Sequence, residues 1–325
     1  MKAIVYEKYG TPDVLRLDEV DKPVAGDDDV LVRIRAASLN PYDWHFLTGL
    51  PYVGRLSMGV LRPKCSRLGA DLAGEVEAVG KNVTRFRPGD EVFGEITSGA
   101  FAEYAIVPED SLAPKPTALT FQQAAAIPMV GFTALQGLRD LGRIGRGKTV
   151  LINGASGGVG TFAVQIAKSF GAEVTGACSA KNVELVLSLG ADHVVDYTKQ
   201  DFTRGGQRYD LMLDLIGNRS LSECRRALTP KGVYVSCFGL PDRKWLGPML
   251  RLLAMVVLSP FVSQDLVTWV AKPTKEDLLE LKELIEAQKV TPVIDRTYGL
   301  SEVPDAIRYL ERGHARGKVV ISVRG

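Results

Sequence analysis

The stretch that decides the fold is Thr149-Val-Leu-Ile-Asn153, followed by Gly154-Ala-Ser-Gly-Gly-Val-Gly160. The first part predicts a buried strand, and a helix is predicted from Val159 to Phe170. A glycine-rich turn between strand and helix is typical of a dinucleotide-binding unit, because backbone N–H groups at the helix start bind a pyrophosphate where side chains leave room. The strict G-x-G-x-x-G pattern is broken, since its first glycine falls on Ala155.

The alternation of strand and helix continues after this turn. A helix is predicted from Lys181 to Leu189, and further strands are predicted at Glu173–Cys178, His193–Val195, Asp210–Asp214 and Gly232–Ser236. Nearly continuous apolar strands that alternate with helices indicate a parallel sheet covered on both faces. We therefore expect an α/β protein with a doubly wound parallel sheet.

The segment before this region follows a different pattern. Residues 1–118 contain short strands bounded by glycine and proline, and Val30–Ala36 alternates apolar and polar residues like a half-buried strand. This pattern predicts a small barrel or sandwich. Residues 122–141 then predict a helix with a break at Pro128, and a later helix is predicted from Thr274, its N-cap, to Gln288.

Composition excludes several classes of protein. The chain has 325 residues, and 40 basic against 38 acidic side chains give a net charge of +2, which is too small for a dedicated nucleic-acid binder. The longest apolar stretch, Leu252–Val262, has 11 residues, whereas a membrane-spanning helix needs about 20. No signal peptide is visible and the four cysteines are far apart, so we expect a cytoplasmic protein with free thiols.

The end of the second strand of the βα unit predicts which dinucleotide is bound. An NAD-binding unit carries Asp or Glu there, about 20 residues after the turn, to bind the ribose 2′-hydroxyl. Here the strand ends in Ala177-Cys-Ser-Ala-Lys181, and the nearest carboxylate is Glu184 in the next helix. A hydroxyl and an ammonium attract a 2′-phosphate, so NADPH is the expected cofactor. The alternative is that Lys181 is an ordinary surface residue.

Several motifs, in order along nearly the whole chain, resemble those of the zinc-independent medium-chain dehydrogenase/reductases of the quinone oxidoreductase (zeta-crystallin-like) branch. They are Ala37–Asp43, Gly69–Gly80, Arg87–Val92, Gly99–Tyr104, Gly131–Leu135, Gly154–Gly160, Leu189–Tyr197 and Arg316–Val320. The resemblance implies a GroES-like β-barrel catalytic domain formed by residues 1–118 and 273–325 and a Rossmann NADPH-binding domain at residues 119–272. It also implies a cofactor in the cleft between the domains, and a homodimer.

The resemblance also implies roles for individual residues. Asn40 and Thr133 are implied at the nicotinamide end of the cofactor. The pyrophosphate is implied at Ser156, Gly157, Gly158 and Val159, in the loop bounded by Gly154 and Gly160. The 2′-phosphate is implied among Ser179, Lys181, Tyr197 and Arg316; Ile216 and Gly217 are implied at the adenosine side, and Cys237, Phe238 and Gly239 at the nicotinamide amide. The alternatives for Asn40, Tyr197 and Cys237 are a turn residue, a strand-end aromatic and a buried apolar filler.

A catalytic zinc ion needs three protein ligands, and the sequence does not supply them. Zinc-dependent relatives carry Cys where this chain has Asn40, and His where it has Ala70. An incidental site that used His45 and Cys65 would lack further ligands. We therefore expect no metal ion.

The expected absence of zinc limits the class of substrate that the enzyme can reduce. Without a metal ion to stabilise an alkoxide, the enzyme suits acceptors that spread their own negative charge, such as a quinone or an α,β-unsaturated carbonyl. The protein then supplies proximity, orientation and a hydrogen-bond donor. Tyr52 is the candidate that orients the substrate or donates a proton, and its alternative is a loop aromatic. An alternative function is an NADPH-binding redox sensor or structural protein with little turnover.

One segment is unusually apolar for its place in the chain. Residues 245–269 include a run of Met, Leu and Val. The first interpretation is a buried helix with a dimer contact. A lid over a hydrophobic substrate and a peripheral membrane contact are the alternatives.

Overall fold

The computed structural model describes residues 1–237 and 247–323. The chain divides into two compact units. The first unit consists of Met1–Met129, Pro273–Glu286 and Pro292–Gly325, and the second consists of Val130–Lys272 and Ala287–Thr291. Residues 119–129, which we expected in the Rossmann domain, therefore cluster with the first unit.

Strands and helices are numbered along the chain. The N-terminal part contains β1 (Lys2–Val5), β2 (Arg16–Glu19), β3 (Asp29–Leu39), α1 (Pro41–Thr48), α2 (Arg55–Met58), β4 (Asp71–Val79), β5 (Glu91–Glu95), β6 (Tyr104–Pro108), β7 (Leu112–Pro114) and α3 (Phe121–Ala125). The middle part contains α4 (Pro128–Gln136), β8 (Thr149–Asn153), α5 (Gly158–Ser169), β9 (Glu173–Cys178), α6 (Val183–Ser188), β10 (His193–Asp196), β11 (Tyr209–Asp214), α7 (Leu221–Arg226), β12 (Leu228–Ser236), α8 (Gly247–Leu258) and β13 (Asp265–Thr268). The C-terminal part contains α9 (Lys275–Glu286), β14 (Ile294–Gly299), α10 (Val303–Glu311) and β15 (Lys318–Ser322).

The second unit contains the predicted parallel sheet. Its strands follow the order β10-β9-β8-β11-β12-β13, and the pairs are parallel. The order reverses between β8 and β11, and in doubly wound sheets ligands bind beyond the carboxyl ends of the strands at such a reversal. The fold of this unit is therefore confirmed as Rossmann-like, with the glycine-rich turn at the switch point.

The first unit is built around β3, which pairs antiparallel with β4, β6 and β15. Its sheet follows the order β14-β15-β3-β4-β5-β7, and the buried core of this unit includes Val32, Ile34, Leu72 and Phe101. The register pairs Val319 of β15 with Leu39 and Asp71 of β4 with Ser38. Residues from distant parts of the sequence thereby meet at the carboxyl end of β3.

Two predicted features of the helices are confirmed. The helical stretch at residues 122–141 is interrupted before Pro128, where α3 ends and α4 begins, because proline lacks the N–H that would continue a helix. Thr274 caps α9: its hydroxyl oxygen accepts a hydrogen bond of 3.2 Å from the backbone N–H of Asp277.

The apolar segment contains α8, for which the first interpretation was a buried helix with a dimer contact. In α8, Leu253, Val256 and Val257 are 59%, 71% and 55% exposed, whereas Met255 is buried in the core of the second unit. The described side chains of α8 are therefore only partly buried within their own unit, and the dimer contact of the first interpretation stays a prediction. The same segment also contains β13, a strand that we did not predict. None of the described helices has the length and apolar content needed to cross a bilayer.

Candidate active site

The glycine-rich turn connects β8 to α5 and leaves helix donors available. The backbone N–H groups of Gly154 and Ala155 both donate to the carbonyl of Ala177 at 3.1 Å, which ties the turn to β9. Since α5 begins at Gly158, its first turn has N–H groups without partners four residues earlier in the helix. The structure brings the predicted residues Gly154, Ser156, Gly157, Gly158, Val159 and Gly160 together at this helix start.

Two glycines of this turn have different explanations. A Cβ at Gly160 would lie 2.1 Å from the carbonyl oxygen of Gly154, so close packing of α5 on the turn explains that glycine. A Cβ at Gly157 would lie 3.5 Å from the nearest protein atom, an ordinary contact. Internal packing therefore does not require glycine at position 157. The open space beside it suits a phosphate that approaches the helix start.

The carboxyl end of β9 lies next to this turn and is linked to it by Asn182. The side-chain nitrogen of Asn182 donates to the hydroxyl oxygens of Ser156 at 2.9 Å and Ser179 at 3.3 Å. Two serines that we predicted on separate parts of the cofactor site are thereby held side by side. Asn182 was missed in the sequence, where it is indistinguishable from an ordinary helix-capping residue.

Charged and aromatic groups surround this end of the sheet. Lys181 is exposed, and Tyr197, which follows β10, is 42% exposed. The backbone N–H of Tyr197 donates to the carbonyl of Cys178 at 3.0 Å, which fixes Tyr197 beside the end of β9. Asp196 is the nearby carboxylate, and its Oδ1 accepts a hydrogen bond from the Thr198 hydroxyl at 2.6 Å. This hydrogen bond is the main reason that the pKa of Asp196 is lowered.

Asp214, which we did not predict, organises the loop after β11. Its Oδ1 accepts hydrogen bonds from the side chain of Asn153 at 2.8 Å and from the backbone N–H of Gly217 at 2.9 Å. Its Oδ2 accepts from the Tyr234 hydroxyl at 2.6 Å. Asp214 thus fixes the loop that carries Ile216 and Gly217. A signal for this role exists in the sequence, since Asn153 and Asp214 each end a predicted parallel strand.

Cys237 follows β12 at the same edge of the sheet. Its backbone N–H donates to the carbonyl of Asp214 at 3.0 Å. Burial raises the pKa of the Cys237 thiol to about 11, so the thiol stays protonated near neutral pH. Phe238 and Gly239, the other residues predicted here, lie outside the described residues.

In the first unit, Asn40 belongs to a buried polar network. Its side-chain nitrogen donates to Asp71 Oδ2 at 2.8 Å, and its side-chain oxygen accepts from Lys318 Nζ at 2.5 Å. Asp71 Oδ2 also accepts from the Ser38 hydroxyl at 2.8 Å and from Lys318 at 3.3 Å. Asn40, Asp71 and Lys318 are all nearly inaccessible to solvent. The interpretation of Asn40 as a simple turn residue therefore omits its main contacts.

Two further carboxyl groups lie close to this network. Asp43 accepts hydrogen bonds of 2.8 Å from the backbone N–H groups of Asn40 and Gly69, yet burial raises its pKa to about 7. Burial is the main cause that raises the pKa of Glu95 to about 8, and the negative charge of the neighbouring Asp71 is the second cause. Burial also lowers the pKa of Lys318, against the opposing effect of Asp71. The network therefore contains groups that can exchange protons near neutral pH.

The remaining predicted residues lie in different surroundings. Tyr52 is half-buried in a single helical turn, and the Arg55 guanidinium stacks 4.8 Å from its ring centre. Arg316 is exposed in the first unit, and its backbone N–H donates to Asp295 at 3.1 Å. Thr133 is buried on α4 in the second unit.

The side chains considered for an incidental metal site are His45 and Cys65. The His45 ring nitrogen Nδ1 lies 2.6 Å from the carbonyl oxygen of Leu50, and Cys65 is a half-buried free cysteine. Across residues 1–237 and 247–323, no three His, Cys, Asp or Glu side chains are grouped closely enough to bind a metal ion.

Two family models match the chain. The alcohol dehydrogenase GroES-like domain matches residues 26–117, which lie in the first unit. The zinc-binding dehydrogenase model matches residues 189–321.

Individual proteins match over almost the whole chain. The mitochondrial NAD(P)H oxidoreductase RTN4IP1 of Mus musculus is 34% identical, covering 99% of this chain and 89% of the relative. The 2-methylene-furan-3-one reductase of Solanum lycopersicum is 36% identical, covering 99% and 79%. The structure of Escherichia coli quinone oxidoreductase complexed with NADPH is similar with a TM-score of 0.85 and 25% identity, covering 99% of this chain and 100% of that chain.

Proposed function

Because this chain belongs to the medium-chain dehydrogenase/reductase family, in its quinone oxidoreductase branch, and is therefore an oxidoreductase, we propose that it uses NADPH to reduce a quinone or an α,β-unsaturated carbonyl without zinc. The observation that carries this proposal is the open space at Gly157 beside the linked hydroxyls of Ser156 and Ser179. Dipolar N–H groups and hydroxyls at one helix start suit a phosphorylated cofactor.

The proposed cofactor site uses three parts of the second unit. The start of α5 would bind the pyrophosphate, and the loop fixed by Asp214 would contact the adenosine side through Ile216 and Gly217. Cys237, held to the same loop by its backbone, would lie at the nicotinamide amide. When bound, the reduced nicotinamide supplies a hydride.

The preference for NADPH rests on the end of β9. Ser179 and Lys181 offer a hydroxyl and an ammonium, which suit a 2′-phosphate, and Tyr197 would add a further donor. A carboxylate that bound a ribose 2′-hydroxyl would be expected at this strand end, but the strand ends in Cys178. The carboxylate of Asp196, on the neighbouring strand, is occupied by Thr198.

The residues at the candidate metal position do not fit a zinc ion. Ala70 has no ligating atom. The Asn40 side-chain oxygen accepts from the Lys318 ammonium, and its nitrogen donates to Asp71. A positive charge is therefore already buried where a metal cation would need to lie, so the donor set does not match that of catalytic zinc.

The class of hydride acceptor follows from the proposed reaction without zinc. A quinone or an enone spreads the negative charge that hydride transfer creates, so that a positioned hydrogen-bond donor and a proton suffice. The tomato relative is named 2-methylene-furan-3-one reductase and the Escherichia coli relative is named quinone oxidoreductase. A 2-methylene ketone is an α,β-unsaturated carbonyl, so both names support this class of acceptor. Asn40 would orient the reacting groups, and Tyr52 would orient the substrate or donate the proton.

Three measurements test the proposal. Purified protein is titrated with NADPH and NADH, NADPH oxidation is followed with a panel of quinones and a panel of enones, and bound metal is quantified. We expect tighter binding of NADPH, turnover on at least one panel and no stoichiometric zinc. Tighter binding of NADH would overturn the cofactor assignment, and stoichiometric zinc would overturn the mechanism. NADPH binding without turnover on either panel would favour the redox-sensor alternative.

We also propose that the protein forms a homodimer through the exposed face of α8. That face presents Leu253, Val256 and Val257 to solvent, and burial of such apolar side chains favours association. Light scattering after size exclusion should give twice the monomer mass, and Val256→Asp should give a monomer. A wild-type monomer would overturn this assignment.

A further inference from the structure

Asn182 occupies a helix-capping position without acting as a cap. It is the residue before α6, where asparagine ordinarily accepts a hydrogen bond from the first turn, yet its side chain makes no capping bond. Its side-chain oxygen is buried and accepts no hydrogen bond from the residues that the structure describes. A buried polar atom without a partner has an energetic cost. The stability of α6 therefore does not explain the placement of this side chain.

The Asn182 nitrogen instead determines where two hydroxyl hydrogens can point. It donates to the oxygens of both Ser156 and Ser179. A serine hydroxyl that accepts a hydrogen bond still has its own hydrogen to donate. Among the described residues, neither hydroxyl donates to a protein acceptor. Both hydrogens are therefore available to a group outside the protein.

We propose that Asn182 is a positioning residue that makes Ser156 and Ser179 obligate hydrogen-bond donors and thereby sets the preference for NADPH over NADH. This inference rests on the proposed function. The Ser179 hydroxyl would donate to the 2′-phosphate and the Ser156 hydroxyl to the pyrophosphate. Because NADH lacks the 2′-phosphate, it would use only one of the two oriented hydroxyls.

The charges around the two serines agree with an anionic ligand. Lys181 is adjacent in sequence to Asn182 and exposed, and Lys199 lies on the segment after β10, 3.9 Å from Asp196. Asp196 is engaged by Thr198 and Lys199 and so is partly neutralised. Two hydroxyl donors with a nearby ammonium form a chemical setting for phosphate oxygens.

A double-mutant cycle tests the inference by calorimetric titration of nucleotide binding, which does not depend on turnover. The variants are Asn182→Ala, Ser179→Ala and the double variant, each titrated with NADPH and NADH. We expect Asn182→Ala to weaken NADPH binding about tenfold and NADH binding about threefold, in line with the loss of oriented hydrogen bonds to charged groups. The double variant should be no more than about twofold weaker than the weaker single variant, because both changes remove the same oriented donor.

A second variant keeps the test informative if alanine at 182 destabilises the fold. Asn182→Asp retains the shape but only accepts hydrogen bonds, so both serine hydrogens would turn toward the carboxylate. NADPH binding should then weaken further than in Asn182→Ala. Asn82→Ala serves as the control, since Asn82 is exposed in the first unit and bonded to Asp28.

The outcomes separate this inference from the proposed function. Wild-type affinity for NADPH in either Asn182 variant would overturn the positioning role, as would fully additive effects of Asn182→Ala and Ser179→Ala. Equal weakening of NADPH and NADH would also overturn it, because a general loss of structure would not discriminate between them. A wild-type protein that bound neither nucleotide would overturn the proposed function and this inference together.

Discussion

The Lys318 ammonium lies 2.5 Å from the Asn40 side-chain oxygen, although 278 residues separate them in the sequence. Lysine can only donate hydrogen bonds, so this contact fixes which end of the Asn40 amide carries the oxygen. The Asn40 nitrogen is then directed at Asp71. The candidate residue at the nicotinamide end is therefore oriented by a buried ion pair.

Replacement of Lys318 tests this ion pair. Lys318→Met leaves Asp71 without its buried partner and should lower the free energy of unfolding by about 3–5 kcal/mol. Urea denaturation measures the change. Lys22→Met is the control, because the Lys22–Glu77 pair is partly exposed and should contribute no more than about 1 kcal/mol. The double variant Lys318→Met/Asp71→Asn should recover part of the loss, and no recovery would contradict this account.

The raised pKa of Asp43 predicts a pH dependence of stability. In the unfolded chain Asp43 loses its proton near its ordinary pKa of 3.8, whereas in the folded chain burial raises the pKa to about 7. Between these values the folded state binds more protons, so the free energy of unfolding falls as pH rises, by about 1.4 kcal/mol per pH unit at most. Urea denaturation from pH 5 to 8 should give a flatter dependence for Asp43→Asn. Parallel curves for the variant and wild type would refute the prediction.

Gly157 and Gly160 should respond differently to alanine. At Gly160 the added Cβ meets the Gly154 carbonyl, so Gly160→Ala should destabilise the protein by about 1–3 kcal/mol. Gly157→Ala should leave the thermal midpoint nearly unchanged and weaken NADPH binding, because its Cβ would fill the space proposed for phosphate. Thermal unfolding and nucleotide titration distinguish the two variants. A stable Gly157→Ala variant with wild-type affinity would argue against a phosphate at this position.

Lys181 should affect one cofactor and not the other. Lys181→Met removes an ammonium that would contact the 2′-phosphate, so NADPH binding should weaken about tenfold, a loss typical of a hydrogen bond to a charged group. NADH binding should change less than twofold. Lys231→Met, an exposed lysine on β12, should leave both affinities unchanged. Equal effects of the two substitutions would make Lys181 an ordinary surface residue.

Tyr52 is tested by removal of its hydroxyl. If Tyr52 donates the proton, Tyr52→Phe should lower kcat by about 100-fold or more and leave NADPH affinity unchanged. Tyr104→Phe in β6 is the control. Unchanged turnover in Tyr52→Phe would identify solvent or another group as the proton source.

The parts of the fold with local signals were predictable from the sequence. The limits of β8 and β9 agree with the prediction because their apolar runs are bounded by glycine and polar residues. The break at Pro128 was predictable because it has a single covalent cause. The exposure of Leu253, Val256 and Val257 in α8 was not predictable, because an apolar residue gives the same sequence pattern whether it is buried in its own chain or exposed to solvent.

The contacts that orient the candidate site were less predictable from the sequence. Asn182 reaches Ser156 across 26 residues, and Lys318 reaches Asn40 across the length of the chain. Such contacts depend on strand register, and a shift of one residue would turn these side chains to the other face of the sheet. Residues such as Ser156, Ser179 and Asn40 were therefore predictable from the sequence, whereas the roles of Asn182, Asp214 and Lys318, which hold them or their neighbours in place, were evident only in the folded structure.

The position of β15 between β14 and β3 has a consequence for biosynthesis. Strand β3 is translated well before β15, the strand that pairs with its carboxyl end, because 278 residues separate Asn40 from Lys318. Until then Asp71 and Asn40 lack the ammonium that compensates them, and the edge of β3 is open to incorrect pairing. The nascent first unit therefore stays incomplete until β15 has been translated, and this interval is when a chaperone would have the most to protect.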